Sequence, residues 1–356
     1  MINKNIVWVI LIIVFIFSCK NNSSNTENEH GNNPPIDVSQ VDNYPPPGEL
    51  IDIGGYKLHL IVEGKNQSGP TVVFFHGAGD IALNWNLVLP KVGEFATAVA
   101  IDQAGEAWSD FGHGASLFQQ VFDSHKALKI AGYNEPYILV GQSLGGIIAN
   151  IFAKEYPTEV AGVVMVDATH RDVLLNVFNE ELNKFEWKIF RTTASDSIPV
   201  VVTTPLVNKP LISTFQPRKD FGDLLDKFTE HDKELFNWIY NERPWPYVKG
   251  NHDYEAEIFT EMHNNKAKYM LNDIPIIILT GGLKEYSEDD EYWTAERKKT
   301  YSDSLQLDLL NLSSNSKQII AEKSGHHIHI DEPEVVTEAI KELVLKQKML
   351  TKNKHY

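Results

Sequence analysis

Short apolar runs separated by turn residues begin at Leu50. Leu50–Ile53 and Tyr56–Val62 flank Gly54-Gly55, a glycine pair typical of a tight turn between antiparallel strands. Thr71–Phe75 follows as a continuously apolar run, as expected of a strand whose two faces are both buried. The pattern therefore predicts an antiparallel hairpin at the edge of a sheet and a buried strand after it.

Further short apolar runs alternate with helical stretches along the chain. The additional predicted strands are Ala98–Ile101, Tyr137–Val140, Val160–Val166, Ile274–Leu279 and Gln318–Ala321. The clearest helical stretches between them are Ser116–Ala131 and Leu144–Tyr156. This alternation predicts an α/β fold with a mainly parallel sheet and helices on both faces.

Residues 171–272 interrupt the alternation of strands and helices. They contain 15 aromatic residues and two helical patches, Phe221–Tyr240 and Tyr254–Asn264. We expect this segment to form a mostly helical lid, inserted after the sixth strand into a core made of residues 49–170 and 273–350.

The amino-terminal segment, residues 1–19, has the pattern of a secretion signal. An unbroken apolar run from Ile6 to Phe17 follows Lys4. As a helix it rises about 18 Å, which is short of the roughly 30 Å hydrocarbon core of a bilayer and is typical of a signal peptide. The run leads to Cys19, the only cysteine in the chain.

Ile16-Phe17-Ser18-Cys19 resembles the lipobox of bacterial lipoproteins, in which the cysteine is lipidated and becomes the first mature residue. The resemblance implies lipid attachment at Cys19 and an extracytoplasmic protein anchored to a bacterial membrane. An ordinary secretory signal or an uncleaved anchor is the alternative. Residues 20–48, rich in asparagine and proline, are then expected to form a disordered tether.

Composition excludes several classes of function. The chain carries 48 acidic against 32 basic residues, a formal charge of −16, whereas a nucleic-acid-binding surface needs an excess of Lys and Arg. A single cysteine rules out an internal disulfide, a cysteine-based zinc site and an iron–sulfur cluster. We therefore expect no nucleic-acid partner and no metal centre that depends on cysteine.

Gly141-Gln142-Ser143-Leu144-Gly145 lies between a predicted strand and a predicted helix. A tight strand-to-helix turn of this kind requires glycine on both sides of the serine, and it raises the hydroxyl to the rim of the sheet. The amino terminus of the helix favours a developing oxyanion at the same place. Ser143 is therefore the candidate nucleophile.

His76-Gly77-Ala78-Gly79 directly follows the strand Thr71–Phe75. Together with the serine turn, this segment resembles the serine hydrolases of the α/β-hydrolase fold, whose sheet has eight strands. In that family the segment supplies one backbone N–H of the oxyanion hole, and the residue after the nucleophile supplies the other. The resemblance implies these roles for Ala78 and Leu144, whereas His76 is expected to brace its loop.

The catalytic histidine of this family follows the last strand. Here Gly325-His326 is followed by Asp331 and Pro333 in the spacing typical of the family, which selects His326 over two neighbouring histidines. His327 and His329 are then residues of a loop and a helix start. A metal site is disfavoured because no second cluster supplies the remaining ligands.

Two carboxylates are candidates for the acid of the triad. Asp167 stands at the end of the strand Val160–Val166. Glu285 lies in the loop after Ile274–Leu279, where the family more often places its acid. We favour Asp167 and retain Glu285 as the alternative.

The resemblance implies hydrolysis of an ester or related acyl bond in a small molecule, through a Ser-His-Asp triad and an acyl-enzyme, without a cofactor. The aromatic residues of the insertion favour an apolar acyl or aryl group in that substrate. Amidase, peptidase or cofactor-free peroxidase activity is compatible with the same triad. A membrane-anchored binding lipoprotein that keeps the fold without the activity is the non-enzymatic alternative.

Overall fold

The computed structural model describes residues 43–114, 116–179, 182–191, 200–207, 213–215, 221–243, 245–247 and 255–353. The expected signal segment, with Cys19, and most of the expected tether lie outside these ranges. Within the described ranges, no helix combines the length and the apolar character needed to cross a bilayer.

The described residues form short strands and helices in alternation. The strands are β1 (Glu49–Asp52), β2 (Lys57–Glu63), β3 (Thr71–Phe75), β4 (Thr97–Ile101), β5 (Tyr137–Gln142), β6 (Val160–Val166), β7 (Leu174–Asn179), β8 (Lys184–Ile189), β9 (Ser213–Phe215), β10 (Trp245–Tyr247), β11 (Ile276–Gly281) and β12 (Ser316–Ala321). The helices are α1 (Leu89–Gly93), α2 (Leu117–Ala131), α3 (Leu144–Glu155), α4 (Glu230–Asn237), α5 (Glu255–Asn264), α6 (Ala295–Asp308), α7 (Ile328–Asp331) and α8 (Pro333–Asn353).

An eight-stranded sheet in the order β1-β2-β4-β3-β5-β6-β11-β12 forms the centre of the molecule. β2 is antiparallel to both of its neighbours, and the pairs from β4 to β12 are parallel. The α/β fold with a mainly parallel eight-stranded sheet is thus confirmed. Because the parallel strands share one direction, the loops after β3, β5, β6 and β12 all leave the sheet at its carboxyl edge.

Alternate residues of each central strand enter two separate apolar cores. Val72 and Phe74 of β3 pack with α1 and α8 on one face, whereas Val73 and Phe75 pack with α2 and α3 on the other. All four side chains are fully buried. This double burial explains why the strand is a continuous apolar run rather than an alternating one.

The insertion between β6 and β11 contains helices and two antiparallel strand pairs, β7 with β8 and β9 with β10. The sequence predicted helices in this insertion, and neither pair of strands was predicted. In β7, Leu175 and Val177 are buried while Asn176 between them is exposed. Buried and exposed side chains thus alternate as in a half-buried strand, but over too few residues to be recognised in the sequence.

The insertion also packs against the core. Phe236 and Tyr240, in α4 and the π-helical turn after it, share one apolar cluster with Trp85 of the core. Tyr44, at the end of the expected tether, stacks on Trp238 with 5.0 Å between ring centroids and accepts a hydrogen bond from the Trp108 indole at 2.9 Å. The expectation of a disordered tether up to residue 48 therefore fails at Tyr44, which packs against the folded part of the chain.

Candidate active site

Ser143 occupies the sharp turn between β5 and α3, with φ 51° and ψ −121°. A non-glycine residue in such a conformation stores strain of about 1–3 kcal/mol, and strained residues of this kind cluster at functional sites. The flanking glycines are required because a Cβ at Gly141 would lie 2.2 Å from the Gly145 carbonyl oxygen, and one at Gly145 would lie 2.2 Å from that of Phe75. The glycine spacing thus places Ser143 at the carboxyl edge of the sheet.

His326 lies in the loop after β12, and its Nδ1–H donates to Asp167 Oδ2 at 2.7 Å. Asp167 directly follows β6 and is 4% exposed. Burial opposes ionisation of this carboxyl, but the hydrogen bond from His326 and the charge of Lys284 outweigh it and lower the pKa of Asp167. The aspartate is therefore ionised at neutral pH and orients the imidazole through Nδ1, which leaves Nε2 on the opposite side of the ring.

The structure brings Asp167, and not Glu285, to His326. The Glu285 side chain is exposed in the loop after β11, where it takes no part in the His326 contact. The same loop instead presents Lys284, whose Nζ lies 2.7 Å from Asp167 Oδ1.

Several hydrogen bonds join the Ser143 turn to the segments that carry the acid and the histidine. The Ser143 hydroxyl shares a hydrogen bond with the Thr169 hydroxyl at 3.3 Å, and the Thr169 N–H donates to the Ser143 carbonyl at 2.9 Å. The Gln142 amide donates to the His326 carbonyl at 3.4 Å. Ser143, Asp167 and His326 thus converge at one edge of the sheet, with the serine hydroxyl turned toward Thr169.

The segment after β3 packs directly against the Ser143 turn. A Cβ at Gly77 would lie 2.3 Å from Gln142 Oε1 and 3.0 Å from Ser143 Cβ, so only glycine allows this approach. Ala78 follows as an exposed residue, and Leu144 is the first residue of α3. Their backbone N–H groups as oxyanion donors remain a prediction, which this close approach supports.

His76 braces this segment through an ion pair. Its Nδ1 lies 2.9 Å from the Gly77 carbonyl oxygen, and its Nε2 lies 2.9 Å from Glu106 Oε2. Burial disfavours the charged imidazole, but the Glu106 carboxylate outweighs burial and raises the pKa of His76 to about 9. His76 is therefore a cation at neutral pH that ties the segment to the loop after β4.

This ion pair predicts a pH-dependent contribution to stability. The folded-state pKa of His76 exceeds the ordinary value of 6.5, so the contribution is fully present below pH 6.5 and is lost as the pH rises through about 9. We expect the wild type to have a higher melting temperature than Glu106→Gln at pH 6, and the difference to shrink by pH 10. Thermal unfolding followed by circular dichroism measures it, and a difference independent of pH would contradict this role of the pair.

The neighbouring histidines lie apart from the Asp167 contact. His329, in α7, is 1% exposed, and its ring centroid lies 4.7 Å from that of Trp85. His327 directly precedes α7. Across the part of the chain that the structure describes, no group of three or more His, Cys, Asp or Glu side chains is placed to hold a metal ion.

Thr169, Glu106 and Lys284 were not among the site residues predicted from the sequence. Thr169 follows Asp167 by two positions, so its place after the end of β6 could have suggested it. Glu106 and Lys284 contact their partners only through the tertiary fold.

Ser143 thus lies at a strained strand-to-helix turn, and the pair of His326 and Asp167 lies at the same edge of a mainly parallel sheet. The chain belongs to the α/β hydrolase fold family, whose model matches residues 70–333. The matched range contains Ser143, Asp167 and His326.

This chain resembles several individual proteins at low sequence identity. The uncharacterized protein YbdG of Bacillus subtilis is 22% identical over 295 residues, covering 81% of this chain and 83% of YbdG. Epoxide hydrolase 1 of Caenorhabditis elegans is 23% identical over 305 residues, covering 83% of this chain and 70% of the enzyme. Among solved structures, a thermophilic esterase from Thermogutta terrifontis superposes with a TM-score of 0.53 at 17% identity, covering 84% of this chain and 99% of the esterase.

Proposed function

We propose that this protein is a serine hydrolase that cleaves an ester or related acyl bond. The observation that carries the proposal is the 2.7 Å contact between Asp167 and His326 beside the strained turn that bears Ser143. The named activities of the distant relatives, an epoxide hydrolase and an esterase, agree with a hydrolase in general.

In the proposed reaction, the Ser143 hydroxyl turns from Thr169 toward His326 Nε2, which accepts its proton as Ser143 Oγ attacks the substrate carbonyl. The N–H groups of Ala78 and Leu144 stabilise the oxyanion, and Asp167 stabilises the imidazolium. His326 then protonates the leaving alcohol, which leaves an acyl-enzyme. Water, deprotonated by His326, attacks this ester, and Ser143 and a carboxylic acid are released.

Epoxide opening is a second candidate because the Caenorhabditis elegans relative carries that name. We rank it below acyl transfer because Ser143 stands at the nucleophile position, whereas the epoxide hydrolases of this fold place an aspartate there. A serine alkoxide is well suited to attack a carbonyl and to be released again from the resulting ester.

We infer an apolar acyl or aryl group in the substrate from the insertion, which we propose acts as a lid. The Tyr240 hydroxyl donates to the Gly79 carbonyl at 2.9 Å, so the insertion reaches the segment proposed to hold the oxyanion. Phe221, Phe228 and Phe236 pack beside Tyr240 in the same apolar cluster. Aromatic side chains near the acyl group would favour apolar substrates, although a small inserted domain also needs a core of its own.

A series of chromogenic esters of increasing acyl length tests this proposal. We expect hydrolysis by the wild type, with a preference among the chain lengths, and no enzymatic hydrolysis by Ser143→Ala. Ser314→Ala removes an exposed serine after α6 and serves as the matched control, with wild-type rates expected. Equal rates in the wild type and Ser143→Ala would contradict the proposal.

We also propose that Cys19 carries the lipid that anchors the protein outside the cytoplasm. The support is the apolar run that leads to the only cysteine of the chain. In bacterial cells fed labelled fatty acid, we expect incorporation into the full-length wild type and none into Cys19→Ser. A labelled Cys19→Ser protein would contradict the anchor and leave the hydrolase proposal intact.

A further inference from the structure

Lys284 contacts the carboxylate that orients His326. Its Nζ lies 2.7 Å from Asp167 Oδ1, and the Gly281 N–H donates to the same oxygen at 3.1 Å. The other oxygen, Oδ2, accepts from His326 Nδ1 at 2.7 Å. The side chains of Lys284 and Asp167 are 10% and 4% exposed, so this contact is shielded from solvent.

The backbone fixes Lys284 relative to His326. The Gly282 N–H donates to the Ala321 carbonyl at 2.8 Å, and the Leu283 N–H donates to the Ser324 carbonyl at 2.9 Å. These bonds join the loop that carries Lys284 to the loop that carries His326. The backbone that carries Lys284 is therefore fixed to the backbone that leads to His326.

We propose that Lys284 is a positioning residue of the active site: it holds one oxygen of Asp167 so that the other faces His326, and its charge compensates part of the carboxylate charge beside the imidazole. This inference rests on the proposed function. Lys284 precedes Glu285, the alternative candidate for the acid, in the loop after β11. From this loop it contacts Asp167, the carboxylate that follows β6.

The physical reason is the sign of the charges. An ammonium on the far oxygen of Asp167 compensates part of the negative charge that would otherwise stabilise a protonated His326. Removing this cation leaves more negative charge beside the imidazole, so we expect the acid limb of the pH–rate profile to move upward. A lysine that only supported the loop would leave the acid limb in place.

Other titratable groups surround the pair and must stay constant in any test. The Tyr286 phenol, on the same loop, is kept neutral because burial, followed by the charge of Asp167, raises its pKa to about 12. The His327 ring centroid lies 5.4 Å from that of His326. Asp331 accepts a hydrogen bond from the Gly325 N–H next to His326, and burial raises the pKa of its carboxyl.

Lys298 provides a matched control in the same region. It is 1% exposed, it donates to the Ser287 carbonyl at 2.9 Å, and it forms an ion pair with Asp289. Lys298 lies in α6, and Asp289 lies in the loop after β11 that also carries Lys284. Removal of Lys298 therefore takes away a buried cation that supports this loop without changing the contacts of Asp167. The Lys298→Met and Lys284→Met variants separate loop support from charge at the acid.

The test is the pH dependence of kcat/KM for ester hydrolysis in the wild type, Lys284→Met, Lys284→Arg and Lys298→Met. For Lys284→Met we expect the acid limb to move upward by about one pH unit and the plateau to fall by about 10–100-fold. Lys284→Arg keeps the charge and should restore the acid limb to its wild-type position. Lys298→Met should lower the melting temperature and leave the acid limb in place.

An unmoved acid limb in Lys284→Met, or an equal shift in Lys298→Met, would overturn this role for Lys284. Failure of the proposed function is distinguishable, because it would leave the folded wild type without Ser143-dependent hydrolysis at any pH. Circular dichroism of each variant shows whether it is folded before its pH profile is measured.

Discussion

Replacing His326 by alanine is expected to lower kcat for ester hydrolysis by about 10⁶-fold, the size of effect seen when the base of a serine triad is removed. The reason is that the His326 imidazole is the proposed base, and it is the ring that Asp167 orients beside the Ser143 turn. Steady-state kinetics on a chromogenic ester measures the loss.

His327→Ala is the matched control for this variant. It removes the adjacent imidazole, whose ring lies 5.4 Å from that of His326, without touching the Asp167 contact. We expect a loss of less than about tenfold. A large loss in His327→Ala with a small one in His326→Ala would show that the wrong histidine was chosen.

Replacing Asp167 by asparagine is expected to lower kcat by about 10⁴-fold, because an amide cannot hold the imidazole in the tautomer that leaves Nε2 free as a base. The measurement is the rate of ester hydrolysis, with circular dichroism as a check of folding. The check is needed because the variant leaves the Lys284 ammonium buried without its anion. The double variant Asp167→Asn with Lys284→Met should recover stability but not activity.

Glu285→Gln distinguishes the two carboxylates considered for the acid. Its side chain is exposed and takes no part in the contact between Asp167 and His326, so we expect wild-type rates. A loss of several orders of magnitude in Glu285→Gln, with little change in Asp167→Asn, would assign the acid to the loop after β11.

The middle of the sheet was predictable from the sequence because its strands are buried on both faces. β3 and β6 have the predicted bounds, since a continuous apolar run between turn residues has few alternative structures. The insertion was less predictable. β7 alternates over only a few residues, and its partner β8 carries charged side chains, so their pairing depends on packing against the core.

The serine turn was predictable for a local reason, because glycines at fixed spacing are needed to form it. The choice between two carboxylates could not be made locally, since both follow strands that lead to the same edge of the sheet. Lys284 was beyond sequence reasoning altogether. Its role depends on the contact between the loops after β6 and β11, which only the assembled sheet creates.

Covalent labelling with a fluorophosphonate, followed by mass spectrometry of the digested protein, is the most direct test of a serine nucleophile. A hydrolase with the proposed triad should carry the label on Ser143, on a peptide absent from the labelled products of Ser143→Ala. A folded wild-type protein that remains unlabelled would contradict the triad and favour the binding-protein alternative.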